Sequence, residues 1–224
     1  MSRIYSFAYL TAQTLPPPEA IRQSAKLGYN EVGLRLLPNA PGAPQQHLIG
    51  DAAMLRETLA AQRDTGVGVF DVEIIRIGEN FDPAIYTGLF EAGQALGAKA
   101  VLVAGDDNDE ARLADSYARL CATMRPFGLT ADLEFMPWTA VSSANVALKT
   151  IRAAGSPPNA GILVDALHFA RSATTLDDIR ALPRSLLHYA QICDAPAATP
   201  GKPFTVDEMI HTAQRAPAAR RRRH

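Results

Sequence analysis

Gly161-Ile162-Leu163-Val164-Asp165-Ala166-Leu167-His168 decides how this chain is read. Its first four residues carry no polar side chain and are too few for a helix, so they suit a parallel strand covered on both faces. An aspartate follows at once, where the cap of a succeeding helix belongs. Six more short β-rich runs occupy residues 4–9, 31–36, 67–75, 99–103, 129–135 and 187–192. Strand starts therefore fall near 4, 31, 67, 99, 129, 161 and 187, a period of about thirty residues.

Helical stretches with recognisable ends lie between these runs. Pro17-Pro18-Glu19 opens one that stops at Gly28, Asp51 opens one that ends near Gly66, and Asp82-Pro83 opens one that ends at Leu96-Gly97. Asp109 starts a fourth that ends before Gly128, Ser142 or Ser143 a fifth that ends at Ala154-Gly155, and Thr175-Leu176-Asp177-Asp178 a short sixth. Polar caps in front and glycines behind are the usual boundaries of such helices. Seven βα units at this period imply a parallel sheet with helical crossovers. A doubly wound dinucleotide fold is the rival, but Tyr5-Ser6-Phe7-Ala8-Tyr9-Leu10-Thr11 holds no glycine for a phosphate loop. The expected fold class is α/β, a (β/α)8-type TIM barrel.

An eighth unit is due near residue 215. The chain instead reads Gln214-Arg215-Ala216-Pro217-Ala218-Ala219-Arg220-Arg221-Arg222-Arg223-His224. That segment has no β-branched residue, and four consecutive like charges do not suit a barrel wall. The barrel is therefore expected to be truncated after its seventh βα unit, with one domain over 1–211 and a disordered Arg-rich tail over 212–224.

The 224 residues are 47% hydrophobic and 20% charged with a net charge of −1, a balance that asks for neither nucleic acid nor an anionic membrane as partner. No apolar run is long enough to span a bilayer. Residues 1–10 lack the basic start and cleavage site of a signal peptide, so a cytoplasmic location is expected. Cys121 and Cys193 lack metal-like spacing and are expected to be buried, reduced thiols.

Catalysis in such barrels sits at the C-terminal strand ends, and polar residues collect there. Strand two ends near Arg35, strand three carries Glu73 and leads to Arg76, and strand four runs into Asp106-Asp107. Strand five ends in Asp132-Leu133-Glu134-Phe135, strand six in Asp165 with His168 beyond, and strand seven in Gln191-Ile192-Cys193-Asp194. Glu134, Asp165 and Gln191 come from neighbouring strands, so their oxygens can converge on a divalent metal, Mn²⁺ or Mg²⁺, with Zn²⁺ or Co²⁺ as alternatives. Structural readings stand beside these. Asp165 can be only an N-cap, His168 only a satisfied histidine at a helix start, and Arg35 with Glu73 only an interior ion pair. Trp138 and Phe169 suit a substrate wall or plain packing.

Leu133-Glu134-Phe135, Leu163-Val164-Asp165-Ala166-Leu167-His168 and Gln191-Ile192-Cys193-Asp194, in that order, resemble the xylose isomerase-like barrels, a family of sugar phosphate isomerases and epimerases, dehydratases and apurinic endonucleases. The resemblance spans residues 4–211. It implies that Glu134 and Asp165 are metal ligands and that His168 contacts substrate or stands beside the metal. Gln191 stands where most members carry a metal-binding histidine. A glutamate on strand eight has no counterpart; Asp207 and Glu208 fit a helix start after Thr205 better. The implied activity is isomerisation or epimerisation of a small polyhydroxy carbonyl compound through an enediolate, with Glu134 and His168 catalytic and Arg35, Glu73, Arg76 and His168 touching substrate. Loss of strand eight implies impairment. A dehydratase or aldolase on the same site, or a non-catalytic binding protein, are the alternatives. The five histidines, at 47, 168, 188, 211 and 224, do not fall at successive strand ends as a trimetal nuclease needs. Open edges on strands one and seven lead to an expected homodimer.

Overall fold

A computed structural model describes residues 3–193, 195 and 204–209. The apolar runs become seven strands: β1 (Ser6–Phe7), β2 (Glu31–Arg35), β3 (Gly68–Ile77), β4 (Ala100–Gly105), β5 (Thr130–Glu134), β6 (Ala160–Asp165) and β7 (Ala190–Gln191). They pair in sequence order and every pair is parallel. The architecture is the expected α/β, TIM-barrel type, with seven strands among the described residues. Residue 194 and residues 210–224 lie outside them, and so does the expected tail.

Helices α1 (Pro17–Lys26), α2 (Ala52–Thr65), α3 (Thr87–Leu96), α4 (Glu110–Met124) and α5 (Ala144–Ala153) make the crossovers. Their starts are chemical. Asp51 accepts from the Ala53 and Met54 N–H groups, Asp109 from Ala111 and Arg112, and Ser143 from Val146, each satisfying donors that a first turn leaves without partners. Two short helices follow β6: α6 (Ala166–Arg171) and α7 (Leu176–Ala181). A capping box between Thr175 and Asp178 opens the second.

Alternation along the strands divides the interior. Val32, Leu34, Val101, Val103, Leu133 and Ile162 face the helices and join one large cluster with Ile21, Phe90, Tyr117 and Ile151. Each such side chain contributes about 1.5–3 kcal/mol on full burial. The concave face holds a smaller set, Ile74, Leu102, Ala104, Met136 and Leu163, with Trp138 and Tyr189 against it. Strand β3 breaks the alternation twice. Val69, Val72 and Ile75 all join the helix-facing cluster, and the register shifts against β2 and again against β4 between them. Each bulge adds one residue on β3, so Phe70 and Asp71, then Glu73 and Ile74, turn inward as consecutive pairs. Cys121 is buried as expected, but Cys193, just past the end of β7, is exposed.

Candidate metal centre

Glu134 is the last residue of β5 and Asp165 the last of β6. Both are buried, at 4% and 7% exposure, deep enough that an unpaired carboxylate is costly. Asp165 Oδ1 accepts the Leu167 and His168 N–H groups at 2.7 and 3.0 Å and so starts α6. That start places His168 in the first turn, with Nε2 3.5 Å from Glu134 Oε1. One ligand atom from each of Glu134, Asp165 and His168 lies within 4.8 Å of the others. Trp138 packs edge-on to the His168 ring at 4.9 Å between centroids.

The electrostatics of this trio favour a cation. Burial, then the neighbouring Asp165 and Glu73 charges, push the Glu134 carboxyl well above its usual range. Burial lowers the His168 imidazole despite the Asp165 charge beside it, which keeps it neutral and able to donate a lone pair. His168 Nδ1 is buried without a hydrogen-bond partner. Two buried carboxylates and a neutral imidazole are a donor set that a divalent cation satisfies, and oxygen with one nitrogen suits Mn²⁺, Mg²⁺ or Zn²⁺.

The other expected residues are placed as follows. Gln191 is in register with Asp165 on the β6–β7 ladder and half-buried, so it stands beside the trio on the same sheet face. Arg35 gives Nε and Nη2 to Glu73 Oε2 and lies over the Tyr9 ring at 4.6 Å. The Arg35–Glu73 pair, both members buried, forms the β2–β3 wall. Arg76 is bound at both ends of its fork to Asp106, 2.7 Å each, and stands at the rim away from the trio's own contacts. Trp138 faces the concave cluster, whereas Phe169 packs against the large helix-side core; only the former walls the site.

Further polar groups lie nearby, of which Asp71, Tyr189 and Arg171 escaped sequence reading. Asp132 lies one layer below Glu134, where His188 Nδ1 meets its Oδ1 at 2.7 Å and Thr130 holds its Oδ2. Asp71 is buried, and the Tyr189 hydroxyl is buried without a partner among these carboxylates. Arg171, three residues past His168, shares its helix face. An aspartate inside an otherwise apolar run is the signal that points to Asp71, and helical spacing from His168 is the one that points to Arg171; neither was used in the sequence reading.

A family model described as a xylose isomerase-like TIM barrel matches residues 21–218. The chain belongs to that family. No curated protein sequence matches it. Among solved structures it is similar to a xylose isomerase-like TIM barrel/4-hydroxyphenylpyruvate dioxygenase fusion protein, with TM-score 0.70 and 22% identity over 87% of this chain. It spans only 32% of that fusion protein. The IOLI protein with a binding zinc atom gives TM-score 0.71 at 16% identity, covering 86% of this chain and 73% of that one. The 3-keto-D-glucoside 4-epimerase YcjR from E. coli gives 0.70 at 16%, covering 86% and 80%. At these identities the likeness shows the fold. No described helix is long and apolar enough to cross a membrane.

Proposed function

We propose that this chain is a metal-dependent isomerase or epimerase of small polyhydroxy carbonyl compounds, acting through an enediolate. The observation that carries the reading is the meeting of Glu134, Asp165 and His168 at the C-terminal rim, where barrels of this type do their chemistry. Glu134, Asp165 and His168 would hold the cation, with Gln191 alongside. A bound divalent cation supplies positive charge for the oxygen that becomes negative as the carbon beside the carbonyl loses its proton.

Glu134 is the group to move that proton. Burial and the neighbouring Asp165 and Glu73 charges hold its carboxyl well above its usual range, so it takes up a proton more readily than an exposed glutamate. His168, kept neutral by burial and packed edge-on by Trp138, would offer its other ring nitrogen to a substrate hydroxyl. The Arg35–Glu73 pair presents polar edges to a polyhydroxy chain, while Trp138 excludes water from one side.

The test is calorimetric titration of Mn²⁺, followed by NMR of ketoses and hydroxy-keto acids in deuterated buffer. Exchange of the proton next to the carbonyl is the expected result, lost in E134Q. Elimination of water in place of exchange would assign the site to a dehydratase. Absence of metal binding would favour a non-catalytic binding protein.

A further inference from the structure

Among the described residues, the charged groups around the trio do not balance, and one cation is left over. Arg35 is committed to Glu73 through two nitrogens, and Arg76 to Asp106 through two. Arg171 differs. Its Nη1 donates to the Met209 carbonyl at 3.2 Å and its guanidinium lies over the Phe204 ring at 4.3 Å, which fixes its position. Its Nη2 is buried and has no hydrogen-bond partner. A buried donor on a charged group without an acceptor is costly and calls for one.

Position says what kind of acceptor. Arg171 lies one turn beyond His168 on α6, close enough to act electrostatically on that ring and to feel Asp165 and Cys193 at the ends of β6 and β7. His168 Nδ1, on the same helix, is the second buried nitrogen without a partner. A divalent cation between Glu134 and Asp165 leaves those three charges neutral in sum, so an anionic substrate group would bring a net negative charge, which Arg171, alone of Arg35, Arg76 and Arg171, has an unpaired N–H to offset.

We propose that Arg171 is a specificity-determining residue that binds an anionic group of the substrate, a carboxylate or a phosphate, at the β6–β7 side of the metal centre. This rests on the reading of the site given above for the rest of the ligand, and it narrows the substrate to acidic polyhydroxy carbonyl compounds, with neutral sugars disfavoured. A planar fork with a free N–H suits carboxylate and phosphate oxygens. A neutral sugar would leave the buried Nη2 unpaired, the kind of mismatch by which a polar site discriminates.

The test uses the whole chain and three probes on one carbon skeleton: glycerol, glycerate and glycerol 3-phosphate. Trp138 is the only tryptophan and touches His168, so its fluorescence reports the site, and calorimetry with and without Mn²⁺ checks it. Both anions are expected to bind about tenfold or more tighter than glycerol, the size of one charge-assisted hydrogen bond. R171M should abolish that preference and R171K should reduce it; which anion binds tighter tells carboxylate from phosphate. Equal binding of all three probes to the native chain overturns the proposal, as does a folded R171M that keeps the preference. If R171M does not fold, an undiminished preference in R171K overturns it. Failure of Mn²⁺ to bind would remove the metal reading alone, because the anion titrations are read on metal-free protein as well.

Discussion

Asp165 Oδ1 caps α6 while the same carboxylate stands within 4.8 Å of the Glu134 and His168 ligand atoms. The two roles separate by substitution. D165N keeps an acceptor for the cap, so thermal melts should place it within about 0.5 kcal/mol of the native chain, whereas D165A should lose about 1 kcal/mol more. Both should lose the calorimetric signal of Mn²⁺. Protons compete with metal at Glu134, whose carboxyl is held well above its usual range by burial and by Asp165, so Mn²⁺ affinity should rise with pH, with proton release on binding. Asp71 carries a different pH dependence. Burial, then Glu73 and Asp132, push it up to about 8 from 3.8. The folded chain therefore holds that proton more tightly than the unfolded one. Its contribution is complete below pH 3.8 and is lost as pH rises through about 8. D71N should stabilise the chain by roughly 3–5 kcal/mol at pH 8 and by little at pH 4, as read by melting temperature against pH.

Two elements, β3 and β6, decide what the concave face looks like. Period-two reading of residues 67–75 puts Asp71 and Glu73 on one face, but it cannot show that Phe70 and Ile74 turn to that face too, because the bulges arise from pairing with β2 and β4. On β6, Gly161 is required by close approach. A Cβ there would come within 2.1 Å of Asp132 Oδ1 and 2.6 Å of His188 Nδ1. G161A should break the Asp132–His188 contact and cost about 2 kcal/mol, the scale of an overpacked or unsatisfied buried site. The His188 imidazole is raised chiefly by its hydrogen bond to Asp132, so that cost should be larger at pH 6 than at pH 9. The helices were more legible than the strands' inner faces, since Asp51, Asp109 and Ser143 act on residues two or three positions away. Arg171 was missed because the groups that fix it, Met209 and Phe204, lie more than thirty residues further along the chain.

At the scale of the molecule, stability and assembly are linked to the site and the sheet edges. A ligand that binds only the folded state adds stability by mass action, about 2.7 kcal/mol at a hundredfold excess over Kd. Mn²⁺ should therefore raise the melting temperature and a chelator should reverse the rise. Among the described residues β1 pairs only with β2 and β7 only with β6. Ile4, Tyr5 and Ile192 beside these edges are exposed, at 63%, 55% and 83%. Pairing of two copies along such edges predicts a dimer by light scattering; a monomer at all concentrations would show that the edges stay unpaired.

The sequence by itself determined the order of strands and helices, the helix starts and the positions of Glu134 and Asp165 at strand ends, because each depends on hydrophobic period or on a cap a few residues away. It also left Arg35 with Glu73 open between ion pair and substrate contact, and the fold pairs them. Only the tertiary structure decided which polar residues share the concave face and which charges find partners. Those outcomes depend on strand register, on bulges in β3 and on contacts across thirty or more residues, where sequence spacing carries no information about distance.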